Sequence, residues 1–272
     1  QPLPSFEERM RQQSMPDGLD NIAGLILDMD GVLYRGDTAI PGAAEAITRL
    51  QKAGIKLAAL TNNARASAQD YSTKLAGLGI DLGADRIITA GQATAQYLAA
   101  QDQAPKVFVA GSPALRKELA AVGAVYSEHP DFVVAGIDLE MPLSVLATAV
   151  GHLHRGAKLV ASNPDNILPV GEGVEPEAGA VVAFLEAASG QTAYIVGKPN
   201  AAIFALALAR LELPADRVAM VGDTADTDIA GATLTGLRSI QVASGNAADA
   251  ASPHQPTAHL ADLAALADLL LS

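Results

Sequence analysis

The chain has 272 residues, of which 50% are hydrophobic, so it can bury a large core as one domain or two smaller ones. Its formal net charge of −12, its scattered Lys and Arg residues and its lack of Trp disfavour a nucleic-acid surface. It contains no Cys, which excludes disulfides and thiolate metal sites.

The polar start, QPLPSFEERMRQQSMPDGLDN, does not resemble a signal or transit peptide. No apolar run reaches the roughly 18 residues that a membrane span needs. We therefore expect a cytoplasmic protein without a membrane partner. The first twenty residues are expected to form a flexible arm.

Short apolar runs alternate with helical patterns along the chain. GLILDMD predicts a strand, GAAEAITRLQKAG a helix that ends at Gly54, and IKLAALTNN a second strand. Further strands are predicted for VFVAGS, DFVVAGI, AKLVASN, AYIVG, RVAMVGD and RSIQVAS, with helical patterns between them. These strands are nearly continuous apolar runs, which is typical of a parallel sheet covered on both faces. The pattern predicts a doubly wound α/β fold.

Two breaks in this pattern indicate an inserted unit. The clearer break is the Pro/Gly-rich and acidic segment at 163–179, which is predicted to be a loop, and the weaker one is GADRIITAG. We expect a discontinuous core domain formed by residues 1–84 and 190–272. Residues 85–189 would form a small α/β cap domain inserted into it.

Four polar clusters follow predicted strands, where the ligands of an open parallel sheet bind. They are Asp28 with Asp30, then Thr61 with Asn62 and Asn63, then Lys198, and last Asp223 with Asp226 and Asp228. A single Asp after a strand is commonly a helix N-cap, and a single Lys is commonly a solvated loop residue. Four clusters at the same ends of strands instead indicate one shared crevice.

The chemistry of this set is coherent. Three carboxylates close together repel one another unless a cation lies among them, and oxygen ligands without Cys or a His set favour Mg²⁺. A carboxylate beside Mg²⁺ can attack phosphorus while the Lys198 ammonium and the Thr61 hydroxyl hold the phosphate oxygens. Asp30 can join Asp28 only if the chain turns after Met29, and Gly31 permits that turn.

Four segments, DMDGVLYRGD, TNNARAS, VGKPN and GDTADTDIAGA, resemble in order and spacing the four motifs of the haloacid dehalogenase-like (HAD) superfamily of phosphatases. Their forms resemble subfamily IIA, the p-nitrophenylphosphatase, phosphoglycolate phosphatase and NagD-like branch. VFVAGSPALRKEL and ASNPDNILP are similar to parts of that branch's cap. The resemblance implies a Rossmann-like core with an inserted α/β cap, and a Mg²⁺-dependent phosphatase that acts on small phosphorylated metabolites.

The resemblance also implies roles for the acidic residues. Asp28 would be the nucleophile that forms an aspartyl-phosphate. Asp30 would be the general acid that protonates the leaving oxygen and then the base that activates water. Asp28, Asp223 and the backbone carbonyl of Asp30 would bind Mg²⁺.

The remaining motif residues would hold the phosphate or support the site. Thr61, Asn62 and Asn63 would bind phosphate, and Lys198 would steady both the nucleophile and the phosphoryl group. Gly31 and Asp228 would have supporting roles. The resemblance further implies a homodimer formed through the cap.

Several other polar residues have weaker claims to function. His152 and His154, two residues apart on a predicted helix, should face different directions and have structural roles. Asp226 is expected to cap a helix or to lie in solvent. Glu172, Glu175 and Glu177 either line the site entrance or solvate a loop. Asn163 and Asp165 match the cap pattern, but they equally suit a turn around Pro164.

Two other function classes stay open. A receiver-like phospho-acceptor module also combines a phosphorylated Asp with Thr and Lys, but it lacks the proton-transfer position of Asp30 and the inserted unit. Within the superfamily, the alternatives are phosphoryl transfer to an acceptor other than water, and dehalogenation. Dehalogenation is disfavoured because it needs neither Asp30 nor Mg²⁺.

Overall fold

The computed structural model describes residues 16, 18–170, 173–245 and 252–272, so most of the predicted N-terminal arm, and Glu172, lie outside the described residues. Its strands are β1 (Gly24–Asp28), β2 (Tyr34–Arg35), β3 (Thr38–Ala39), β4 (Lys56–Thr61), β5 (Ile87–Thr89), β6 (Lys106–Ala110), β7 (Val125–Tyr126), β8 (Phe132–Ala135), β9 (Lys158–Ala161), β10 (Ile167–Val170), β11 (Gly173–Pro176), β12 (Tyr194–Ile195), β13 (Val218–Gly222), β14 (Arg238–Val242) and β15 (Ala258–Leu260). Its α-helices are α1 (Ala43–Lys52), α2 (Ala68–Gly77), α3 (Ala90–Gln101), α4 (Pro113–Ala121), α5 (Leu143–His154), α6 (Ala178–Ser189), α7 (Ala201–Leu211), α8 (Ala230–Thr235) and α9 (Leu263–Leu270).

The main sheet has six parallel strands in the order β15-β14-β13-β1-β4-β5. β1 lies between β13 and β4, with Ile26 opposite both Met220 and Ala58. Because these strands run in one direction, Asp28 at the end of β1 lies beside Thr61 at the end of β4 and Gly222 at the end of β13. The predicted parallel α/β fold is confirmed.

A second, five-stranded parallel sheet has the order β12-β9-β8-β6-β7. Four of its five strands lie within the predicted insert, and we call the stretch Lys106–Ile195 that contains its strands the cap. Two short antiparallel hairpins complete the described strands, β2–β3 after the first motif and β10–β11 within the cap.

The sheet memberships differ from the predicted domain boundaries at both ends. β5, which was placed in the insert, pairs with β4 of the main sheet. β12, which was placed in the core, pairs with β9 of the cap. Both strands are only two or three residues long, so their apolar runs carry little pattern of their own. The division into two domains stays a prediction, with the sheets changing after Thr89 and after Ile195.

The segment at 163–179 contains a hairpin where a loop was predicted. Ile167 pairs with Pro176, and Val170 pairs with Gly173. The Pro and Gly residues of this segment favour a loop by sequence, but an exposed two-stranded hairpin tolerates both. The prediction of a loop here was wrong.

Alternate residues of β1 face two different apolar clusters. Leu25 and Leu27 pack in a cluster that contains Leu50 of α1 and Leu266 of α9. Ile26 points to the opposite face, as strand geometry requires. It belongs to a cluster that joins the main sheet, through helices α3, α4 and α7, to the cap strands, including Val107, Val109, Val134 and Val160. One continuous apolar core therefore connects the two sheets.

The other face of the cap sheet has its own cluster. Phe108, Val133 and Leu159 pack there against Leu153 of α5 and Leu185 of α6.

Within the part of the chain that the structure describes, no helix is long and apolar enough to cross a membrane.

Candidate active site

A buried lysine joins two carboxylates at the end of β1. The Lys198 Nζ lies 2.7 Å from Asp28 Oδ1 and 2.7 Å from Asp228 Oδ1. Burial disfavours the charged form of Lys198, but the charges of Asp228 and Asp28 outweigh it and raise the pKa of the ammonium. The side chain is therefore a cation fixed between two anions.

Asp28 is held at the strand end by two donors. Its Oδ1 accepts the Lys198 contact and also a hydrogen bond from the Met29 backbone N–H at 2.8 Å. Burial raises the pKa of the Asp28 carboxyl well above its usual range; the charges of Asp228 and Asp223 add to that rise, and Lys198 opposes it.

Three carboxylates converge here. Asp28, Asp223 and Asp228 each offer an oxygen within 4.8 Å of the others. A Cβ on Gly31 or on Gly245 would overlap the Asp223 carboxylate, so two glycines make room for it. Oxygen ligands at this spacing fit a hard divalent cation. The acidic cluster can therefore hold a metal ion.

Asp228 is placed by an unusual turn. The predicted helix TDIAGATLTG begins as a π-helical turn, Ala225–Ile229, and continues as α8. The Asp228 Oδ2 accepts a hydrogen bond from the Thr224 backbone N–H at 3.1 Å, which aims Oδ1 at Lys198. Turns of this kind are frequent at functional sites.

Asp30 is not one of the three converging carboxylates, and the residue is exposed. Gly31 follows it with φ +80° and donates its N–H to the Tyr34 carbonyl, so the chain turns at the predicted position. Partial enclosure and the charge of Asp223 raise the pKa of the Asp30 carboxyl, while Lys74 and Arg35 oppose the rise. Its proton-transfer role stays a prediction.

The loop after β4 carries Thr61, Asn62 and Asn63. The Thr61 hydroxyl accepts from the Asn63 N–H at 3.2 Å, and the side-chain Oδ1 of Asn63 accepts from the Arg65 N–H at 2.7 Å. Asn62 is buried and contacts both backbone groups of Lys198: its Oδ1 accepts from the Lys198 N–H at 2.7 Å, and its Nδ2 donates to the Lys198 carbonyl at 3.2 Å. The Asn62 side chain thus holds the backbone of Lys198 in place. Phosphate binding by Thr61, Asn62 and Asn63 stays a prediction.

Lys198 reaches the site by a different route from the expected one. The sequence placed it after a strand of the main sheet, but the preceding strand, β12, belongs to the cap sheet. The expectation was wrong because a two-residue strand carries no signal of the sheet it joins.

The cap contributes contacts that the sequence left open. Asp165 Oδ2 accepts from Asn62 Nδ2 at 3.0 Å, and the buried Asn163 Nδ2 donates to the Asn62 carbonyl at 2.6 Å. Burial raises the pKa of Asp165, and the hydrogen bond from Asn62 opposes the rise. The ASNPDNILP pattern pointed to these residues, but it did not identify their partners.

Arg65, which sequence reasoning missed, connects the same loop to the hairpin strand β11 and the residue that follows it. It pairs with Glu175 at 2.6 Å and with Glu177 at 3.0 Å. Glu177 also caps α6 by accepting from the Ala178 N–H at 3.2 Å. These two glutamates therefore bind Arg65 and do more than solvate a loop. Their lining of the site entrance stays a prediction.

The remaining polar residues lie outside this cluster. Asp226 is exposed and accepts from the Ser252 hydroxyl at 3.4 Å. The His152 Nδ1 lies 2.9 Å from an Arg155 nitrogen, and the His154 Nε2 lies 3.0 Å from the Ala188 carbonyl oxygen. The two imidazoles thus have separate structural contacts.

Two family models match the chain. Residues 25–125 match the model described as haloacid dehalogenase-like hydrolase, and residues 195–266 match a second one, described as HAD-hydrolase-like.

Characterised relatives match across most of the chain. The dihydroxyacetone phosphatase of Corynebacterium glutamicum is 33% identical over 89% of this chain and 90% of its own length. An acid sugar phosphatase of Staphylococcus saprophyticus is 33% identical over 84% of this chain and 88% of its own. The crystal structure of a 4-nitrophenylphosphatase from Thermotoga maritima superposes with a TM-score of 0.88 at 34% identity, covering 93% of this chain and 99% of that one.

The motifs, the two-sheet architecture and these matches agree, and the resemblance noted from the motifs is confirmed. The chain belongs to the haloacid dehalogenase-like hydrolase family.

Proposed function

We propose that this chain is a Mg²⁺-dependent phosphatase that hydrolyses phosphomonoesters of small metabolites through an aspartyl-phosphate on Asp28. The observation that carries the proposal is the contact of Asp28 with Lys198, beside a cluster of three carboxylates. The similar proteins support the reaction class, because those named above are all phosphatases.

The first half of the reaction uses Asp28 as nucleophile. A carboxylate oxygen of Asp28 forms a bond to phosphorus, and the bond from phosphorus to the leaving oxygen breaks. Asp30 donates its proton to that oxygen, for which its raised pKa is suited. Lys198, held between Asp28 and Asp228, opposes the negative charge on the phosphoryl oxygens.

The second half returns the enzyme to its starting state. Asp30, now ionised, takes a proton from a water molecule that attacks the phosphorus, and the bond between phosphorus and Asp28 breaks. Inorganic phosphate leaves, and the freed Asp28 carboxylate is again held by Met29 and Lys198.

The metal would be held by Asp28, by Asp223 and by the backbone carbonyl of Asp30. When bound, Mg²⁺ supplies positive charge that neutralises the carboxylates and polarises the phosphate. Thr61 and the backbone N–H groups of the Asn62–Asn63 loop would orient the remaining phosphate oxygens.

The test is phosphate release from a panel of substrates by wild type and by Asp28→Asn. The panel contains p-nitrophenyl phosphate, dihydroxyacetone phosphate, sugar phosphates, phosphoglycolate, pyridoxal phosphate and nucleotides, each with Mg²⁺ or with excess chelator. We expect release by wild type with Mg²⁺ only, and none by Asp28→Asn, because an amide is a poor nucleophile of the same shape.

The matched control is Asp226→Asn, which changes an exposed acid on the same turn as Asp228 and should retain full activity. Retained turnover in Asp28→Asn would overturn the nucleophile assignment. A phosphorylated protein that accumulates without releasing phosphate would instead support the receiver-like alternative.

A further inference from the structure

Asp165 is a cap residue that reaches the catalytic lysine through one intervening side chain. Its carboxylate accepts from Asn62 Nδ2 at 3.0 Å, and the Asn62 amide in turn contacts the backbone N–H and carbonyl of Lys198 at 2.7 and 3.2 Å. The Lys198 ammonium then lies 2.7 Å from Asp28. These contacts form a chain from the cap to the nucleophile.

The carboxylate of Asp165 selects one orientation of the Asn62 amide. A carboxylate only accepts hydrogen bonds, so it favours the Asn62 NH₂ group on its own side and leaves Oδ1 facing the Lys198 N–H. In the flipped orientation an amide oxygen would face a carboxylate, and an NH₂ group would face the lysine N–H. Both contacts would then be repulsive.

Asp165 is itself held firmly. Its N–H donates to Asn163 Oδ1 at 3.0 Å, and its carbonyl accepts from the Gly179 N–H at 2.8 Å. A Cβ on Gly179 would overlap the Pro164 carbonyl, so the first turn of α6 packs directly on this backbone. The backbone of Asp165 is therefore fixed, so that its carboxylate is held in one place relative to Asn62.

We propose that Asp165 is a positioning residue: by fixing the Asn62 amide it sets the backbone of Lys198, and so the placement of the Lys198 ammonium against Asp28. The inference rests on the proposed function, and it assigns the cap a part in the chemical step. Small displacements of a catalytic group lower the rate steeply, so the loss should fall on kcat.

The kinetic test compares Asp165→Ala, Asp165→Asn and the control Asp131→Ala, an exposed acid at the far end of the cap sheet. We expect Asp165→Ala to lower kcat roughly tenfold or more with little change in KM. Asp165→Asn keeps an acceptor oxygen and should recover much of that loss, and Asp131→Ala should match wild type. Unchanged kcat in Asp165→Ala would overturn the proposal.

A double-variant cycle tests the route through Asn62. If Asp165 acts on Lys198 only through that amide, Asp165→Ala should lower kcat no further in an Asn62→Ala background. An equal further loss in that background would overturn the route.

Hydrogen exchange of the Lys198 backbone amide, followed by NMR, gives a readout that does not depend on turnover. We expect faster exchange at Lys198 in Asp165→Ala than in wild type, at conditions where both are folded. If wild type releases no phosphate, the proposed function fails while this exchange still tests the positioning. If wild type is active and the Lys198 exchange is unchanged, the positioning fails alone.

Discussion

Lys198 shows how a single residue links the chemistry to the fold. Its side chain is only 4% exposed, and such burial would ordinarily favour the neutral amine. The two flanking carboxylates reverse that preference, and they are themselves tolerated at this depth because the lysine is charged. The same three groups would otherwise each be costly to bury.

Asp30 gives the prediction that belongs to a single side chain. Asp30→Asn should lower kcat/KM most for substrates with poor leaving groups, and least for p-nitrophenyl phosphate, whose leaving group needs no proton. The measurement is kcat/KM, which reports the first half of the reaction alone, for a series of phosphomonoesters of graded leaving-group pKa. Equal losses across the series would contradict the general-acid role.

The pH dependence has a definite sign. A raised pKa keeps Asp30 protonated to higher pH than an ordinary Asp, so kcat/KM for poor leaving groups should fall as pH rises through that pKa. This falling limb should be absent in Asp30→Asn.

The sequence predicted which residues form the candidate site, but it did not predict which side chains and backbone groups they contact. Asp28, Asp223 and Asp228 could be proposed because residues at the ends of neighbouring parallel strands meet at one edge of the sheet. Lys198 was proposed for the same reason, although its strand belongs to the cap sheet. The contacts of Asn62 could not be proposed, because a side-chain amide suits phosphate binding and a bridge to Lys198 equally well. The position of the Lys198 backbone shows the bridge, and phosphate binding by Asn62 stays a prediction.

Among the turns that position the site, the one after β1 depends on Gly31. This residue has φ +80°, and a side chain there would also overlap the Asp223 carboxylate. Gly54, at the end of α1, has φ +82° but no neighbouring heavy atom within 4 Å of a Cβ. An Ala substitution would meet the same backbone strain at both glycines. Only at Gly31 would the added Cβ also crowd neighbouring atoms.

The difference between Gly31→Ala and Gly54→Ala therefore measures the cost of placing a side chain close to Asp223. Gly54→Ala should cost about 1 to 2 kcal/mol of folding free energy, from the positive φ alone. Gly31→Ala should cost more and should also weaken Mg²⁺ binding, because Asp223 must move. Denaturant unfolding and metal titration measure the two effects; identical behaviour of the two variants would refute the crowding.

The connection of Arg65 to Glu175 and Glu177 is the other testable feature of an element. Removing Arg65 leaves the buried Glu177 without its cation, so Arg65→Leu should destabilise the fold by about 2 to 3 kcal/mol. This is less than for a fully buried pair, because Arg65 and Glu175 keep some contact with solvent.

Arg49→Leu is the matched comparison, because Arg49 pairs with Asp268 at the same 2.6 Å but on the exposed surface. It should cost less than about 1 kcal/mol. Both values come from urea unfolding in the presence of Mg²⁺. Equal costs would mean that the connection to the cap contributes nothing beyond a surface ion pair.

The sequence missed β5 and the hairpin β10–β11, and it assigned β12 to the wrong sheet. These strands have only two to four residues each, and β5 and β12 pair with strands that are distant in the chain. The long helices and the central strands were predictable because the pattern of their own apolar residues indicates what is buried. Short edge elements carry no such pattern.

For the molecule as a whole, the acidic cluster links metal binding to stability. Three carboxylates within 4.8 Å repel one another in the metal-free protein, and a bound cation relieves that repulsion only in the folded state. Mg²⁺ at a hundredfold excess over its Kd should then stabilise the wild type by about 2.7 kcal/mol.

Thermal unfolding with Mg²⁺ and with chelator measures this linkage in wild type and in Asp223→Asn. The variant should gain much less stability from Mg²⁺ than wild type, because an amide is a weaker metal ligand than a carboxylate. A Mg²⁺-induced shift as large as that of wild type would show that Asp223 is not a ligand.

The apolar core that joins the two sheets has a consequence for engineering. Because Val107 and Val134 of the cap share one cluster with Ile26 and Met220 of the main sheet, the cap is not a detachable module. A chimera that borrows the cap of another family member would also have to import the complementary faces of α3 and α7. Exchange of the cap and folding are therefore coupled in this protein, and a library of cap exchanges would be filtered first by folding yield.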